Sequence, residues 1–85
     1  MKQQDNIRII LEGIIDKQLK HNQPPETLQT YNRLVDNAYT DEEARLLISR
    51  ALQIELYRLM HFAEPFNKNR FLKNLHQLPD LPDVD

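Results

Sequence analysis

The chain has 85 residues, enough for one small domain and too few for a second. Eleven Lys and Arg against thirteen Asp and Glu leave a formal net charge of −2, which gives no long-range pull toward nucleic acid. One Gly, five Pro and no Cys exclude a glycine-rich linker, a collagen-like repeat, a disulfide framework and any thiolate ligand or nucleophile.

A domain of this length buries only a little over ~60% of its unfolded surface. Such a chain rarely encloses a deep, dry active site, and a partner can supply missing stability. Met1 to Asp5 is polar, and Arg8, Glu12 and Gly13 break the apolar run from Ile7 to Ile15, so no secretory signal is read. No stretch reaches the ~18 uncharged apolar residues of a membrane span. A cytoplasmic protein without a membrane partner is therefore expected.

The first helix is predicted from about Asp5 to His21. Ile7, Ile10, Leu11, Ile14 and Leu19 follow helical spacing, with Ile9 and Ile15 at or beyond the edges of that stripe. Lys17, Lys20 and His21 suit the negative helix end. Pro24-Pro25 ends this helix, because a following proline keeps Pro24 out of the α region. Pro25 fits the first position of a second helix, where its missing N–H has no partner to lose. Leu28, Tyr31, Leu34, Val35 and Ala38 give that helix its stripe, which closes near Asn37.

Thr40-Asp41-Glu42-Glu43 is the strongest start signal: a capping box, with acids at the positive helix end. The third helix should run to Phe62 or Glu64. It is apolar around most of its circumference and is read as central. Pro65 breaks it. Asn67 is the next N-cap, and Phe66 and Phe71 are spaced for a hydrophobic staple. The fourth helix covers about Lys68 to Gln77, with Phe71, Leu72 and Leu75 inward, until Pro79 stops it. From Leu78 the chain reads LPDLPDVD, with no helical period. The expected architecture is all-α: a bundle of four helices, three long and one short, around a central third helix. Residues 1–78 form the domain, and residues 79–85 form an extended or disordered acidic tail.

Gln18, Asn22, Pro24-Pro25 with Thr27, Tyr31-Asn32-Arg33-Leu34, the acidic cap with Ala44, Ala51 and Glu55, and the Pro65-Phe66 to Leu72 turn form a pattern over most of the chain. In these residues Leu11 to Leu75 resembles an uncharacterised bacterial family, the domain of unknown function 1841 type. It is similar also to C-terminal helical segments of other small uncharacterised bacterial proteins. The resemblance implies an all-α fold and brings no assigned activity. Longer relatives carry His near the first helix; Ile7 to Ile15 has none, so the resemblance supplies no metal ligand here.

Few residues could carry chemistry. His61 and Glu64 share a helix face, but a metal site needs three or four converging ligands. His21, His61 and His76 are read as partly exposed residues near helix ends. Glu55 falls between Ile54 and Leu56; a buried carboxylate is usually paired, and Arg58, Arg8 or Arg33 are the expected partners. Tyr31, Tyr39 and Tyr57 should sit at the core margin with their hydroxyls outward. Ser49 is mid-helix and lacks the tight turn of a serine nucleophile. Arg58, Lys68, Arg70 and Lys73, with His61 and His76, make a basic face around Phe66 and Phe71; it is read as a solvated face rather than a nucleic-acid site. Gly13, costing about 1 kcal/mol against Ala in a helix, is expected at a close helix contact.

These readings give no catalytic residue, no cofactor and no metal. The expected function is a small non-catalytic interaction or assembly module. It would form a homodimer, or bind a protein partner, through Ile7, Ile9, Ile10, Ile14, Leu52 and Leu56. The alternatives are a metal-dependent or catalytic accessory protein using His61, Glu64 and Glu55, or a weak nucleic-acid-binding accessory.

Overall fold

Caps and prolines divide the chain into its elements. The computed structural model describes residues 3–81, with side chains from Ile7 onward. It contains α1 (Gln3–His21), α2 (Pro25–Asp36), α3 (Asp41–Phe62) and α4 (Lys68–Gln77), and no strand among the described residues. The chain is therefore all-α, as the periodicity predicts. Pro24 has extended backbone (φ −73°, ψ 154°), and Pro25 opens α2. At α3 the Glu43 N–H donates to Thr40 Oγ1 at 3.0 Å, while Glu43 Oε1 accepts the Thr40 N–H at 2.9 Å, which completes the capping box. Asn67 caps α4 through its side-chain oxygen, which accepts the Arg70 N–H at 3.0 Å.

α3 packs against each of the other helices, whereas α1 and α4 do not pack against each other. Leu11 and Ile15 of α1, Leu34 of α2, Ile48 and Leu52 of α3, and Phe71 and Leu75 of α4 meet in one buried cluster. Each such side chain contributes roughly 1.5–3 kcal/mol through removal from water. The radius of gyration is 12.5 Å, in line with a single domain of this length.

The buried stripe of α1 differs from the expected one. Ile15 is 1% exposed and belongs to the core, while Ile10 faces water. The packed row is Ile7, Leu11, Ile15 and Leu19, spaced by four. Six apolar residues crowded into nine positions offer more than one candidate stripe, and tertiary packing selects this row. At the C-terminal end Leu78, the last residue of the expected domain, is buried, and Leu81 packs against the core. Arg33 donates from its two terminal nitrogens to the Leu75 and Leu78 carbonyls, each at 2.9 Å, and so satisfies oxygens that the end of α4 leaves free. The remainder of the expected tail, 82–85, lies outside the described residues.

Gly13 is not at a close contact. A Cβ built there meets nothing within 4 Å, and its backbone is not left-handed. The left-handed positions instead carry Asn22, Ala38 and Ala63, with φ of 52°, 74° and 55°. At the end of α2 the Tyr39 N–H reaches the Leu34 carbonyl at 3.0 Å and the Ala38 N–H reaches that of Val35 at 3.1 Å, a Schellman closure that favours glycine at position 38. The one glycine therefore sits where alanine would serve better, and an alanine sits where glycine would. Gly13→Ala and Ala38→Gly should each stabilise the chain by about 0.5–1 kcal/mol, read as a higher urea midpoint at unchanged slope. A lower midpoint for Gly13→Ala would place something against that face of α1.

Candidate functional site

The corner between α3 and α4 is built around one carboxylate. Glu55 sits on the inward face of α3 and is 1% exposed. Its Oε2 accepts from Arg70 Nε at 2.6 Å, and its Oε1 accepts from Arg70 Nη2 and from the Asn67 N–H, both at 2.9 Å. Burial pushes this carboxyl up. The bidentate guanidinium, the Asn67 N–H and the nearby Arg58 charge outweigh it, and the group is held below the ordinary glutamate range. Glu64 bonds Arg58 at 3.2 Å and lies 3.6 Å from Arg70. Glu55 is thus paired and structural, and Arg70 takes the place expected for Arg58, Arg8 or Arg33. Arg8 instead faces Glu12, and Arg33 holds the α4 carbonyls. The reason is the Asn67 cap: it starts α4 so that Arg70, three residues on, reaches back across the corner.

This frame fixes the Ala63–Asn67 loop and lays Phe66 edge-on against Phe71, ring centroids 5.6 Å apart, so the staple forms. Outside it, Tyr57, Leu59, Met60, Phe62 and Phe66 are all exposed, Met60 to 73%. Leu59 lies seven residues beyond Leu52 and Phe62 seven beyond Glu55, so both continue the inward face of α3. The last turns of α3 therefore extend an apolar face past the elements that would cover it. Tyr57 stacks on His61 at 4.2 Å and meets Phe62 edge-on at 6.0 Å, giving a joined aromatic patch.

The other expected site residues fall in different places. Glu64 turns to Arg58 and Arg70 rather than to His61. No group of three or more His, Cys, Asp or Glu that could hold a metal occurs among the described residues. Ser49 donates its hydroxyl to the Leu46 carbonyl at 2.6 Å, within its own helix. The basic face loses Arg58 and Arg70 to carboxylates and keeps Lys68, Lys73 and His76 exposed. Of the expected interface, Ile9 and Ile10 are exposed, Ile7, Ile14 and Leu56 are half-buried against the core, and Leu52, 2% exposed, is interior and not available to a partner.

A groove of about 690 Å³ lies between α1 and the first half of α3. Leu11 and Ile15 form part of its floor, and Leu46 is an exposed apolar wall. Arg45 sits at its edge, bonded to Asp16 and Asp41, with its guanidinium 5.9 Å from the Tyr31 ring centre. The Tyr31 hydroxyl donates to Asp41. That bond and Arg45 hold the Asp41 carboxyl below its usual range, and the same bond raises Tyr31. No described helix is long and apolar enough to cross a membrane. Comparisons of this chain with family models, with curated proteins and with solved structures return no match, so the reading of function rests on this geometry.

Proposed function

We propose that this chain is a small, non-catalytic protein-interaction module that self-associates through the apolar corner at the end of α3. The observation that carries this reading is that Tyr57, Leu59, Met60 and Phe62 in the last turns of α3, and Phe66 just after it, are all exposed, with Tyr57 and Phe62 in edge contact. Five such side chains leave on the order of 500 Å² of apolar surface in water, as large as the main patch of a typical monomer. That is well over half of the roughly 800 Å² per partner buried by a standard interface. A second copy suits the patch because the ions around it are already paired, Arg58 with Glu64 and Arg70 with Glu55. Facing its own image, the corner meets apolar surface, the geometry of a two-fold dimer.

Sedimentation equilibrium at micromolar concentration should return about twice the chain mass. Met60→Lys should return the monomer with unchanged helical circular dichroism, since that side chain is exposed. Ile9→Lys, on the outer face of α1, should have the smaller effect. A monomeric wild type at several hundred micromolar would end this reading. A dimer broken by Ile9→Lys but not by Met60→Lys would move the interface to α1.

A further inference from the structure

The groove between α1 and α3 has a shape and charge of its own. It follows Ile7 to Asp16 on one wall and Asp41 to Gln53 on the other. At 1.5 Å per residue that is roughly 15–18 Å, about three turns of a helix laid along it. Its apolar surface open to an occupant comes from half-buried Ile7 and exposed Leu46, with Leu11 and Ile15 buried beneath them. Four carboxylates, Glu12, Asp16, Asp41 and Glu42, face two guanidiniums, Arg8 and Arg45, an excess of two negative charges. Arg45 is occupied by Asp16 and Asp41. Arg8 lies 3.6 Å from Glu12 with both side chains more than half exposed, a loose pair that an incoming cation can replace. Glu42 has no ion pair among the described residues.

We propose that this groove docks an amphipathic helix of a partner protein, with apolar residues at i, i+3, i+4 and i+7 and Lys or Arg along both flanks. Ile7 and Leu46 meet the stripe, and the acidic rim selects the flanks. Charge separates this occupant from the others. Nucleic acid and an anionic membrane surface meet a rim of their own sign. So does the chain's own C-terminal segment, which carries Asp80, Asp83 and Asp85. The groove is separate from the α3 corner, so the module would join a second copy at one place and a basic helix at the other.

The test uses the full chain and two labelled peptides of about 14 residues. One is a leucine–lysine helix with the spacing above; the other has every lysine replaced by glutamate. In fluorescence anisotropy the lysine peptide should saturate at micromolar concentration and weaken with salt, and the glutamate peptide should bind at least roughly tenfold more weakly. Leu46→Lys should reduce binding of the lysine peptide by about tenfold or more. Met60→Lys, which makes the same charge change on the α3 corner, should leave it within about twofold. Equal binding of both peptides, no saturation by either, or equal loss in the two variants would overturn the proposal. Because Met60→Lys also reports on self-association, failure of the groove and failure of the dimer are read separately.

Discussion

Phe71→Ala should cost about 3–5 kcal/mol, the range for emptying the site of a buried phenylalanine. Phe71 is 1% exposed and one of the largest side chains in the core, and it also packs edge-on against the Phe66 ring. A domain of this length has a total stability of about 4–13 kcal/mol, so the loss is about a quarter of it or more. The melting temperature should fall by on the order of 15–30 °C. The damage should begin at α4. Ten residues cannot hold a helix in water without packing, and α4 is held to α3 chiefly by Phe71, Leu75 and the Glu55 pair. Amide exchange in Lys68–Gln77 should therefore lose protection before that of Asp41–Phe62 does. Phe71→Leu, which keeps most of the volume, should cost far less. Near-neutral melts for Phe71→Ala would mean that the fourth helix is held by its polar contacts alone.

The parts of this fold that follow local rules are legible in the sequence. Pro24-Pro25, Thr40 with Glu43, and Asn67 act on backbone groups within four residues, and each begins or ends an element where expected. The row chosen on α1 is not legible, because Ile9, Ile10, Ile14 and Ile15 are alike in chemistry and only contact with α2 and α3 separates them. Gly13 misleads for a related reason: a glycine suggests a neighbour, and the exposed face of α1 gives it none. Glu55 is found as a buried carboxylate by its apolar flanks, but its partner lies fifteen residues away and across a turn. The clue was available in Asn67 as N-cap, which aims Arg70 back at α3, but the run of basic residues around it reads equally as a solvated face. The exposed apolar corner at the end of α3 is hidden for the same reason. α3 is apolar around most of its circumference, and only the positions of the other helices decide that Leu59 and Phe62 are left in water.

Removing either member of the Glu55–Arg70 pair should expose the second largest dependence in the molecule, and stability should change with pH in opposite directions in the wild type and in Arg70→Ala. Glu55→Ala should cost about 3 kcal/mol, the lower end for breaking a buried pair, because Arg70, a quarter exposed, can turn its charge to water. The double variant Glu55→Met/Arg70→Met should recover much of that loss, since it leaves neither charge unpaired and fills the space with apolar atoms. In the wild type the folded Glu55 carboxyl is held below its ordinary value. Its contribution is therefore complete above the ordinary glutamate range near pH ~4.3 and fades as pH falls through the lower folded value. Asp41, also held low by Tyr31 and Arg45, adds to the fading in the same acid window. In Arg70→Ala the carboxyl remains buried without its guanidinium, and burial then pushes it above the ordinary value. That variant should be least destabilised in acid, where the carboxyl is protonated, and should lose stability as pH rises through the raised value toward 7. Urea melts from pH 3 to 7 should show the gap between wild type and Arg70→Ala widening with pH. A gap of constant size would assign the effect to the packing of the arginine stem and leave the ion pair without a role in holding the α3–α4 corner.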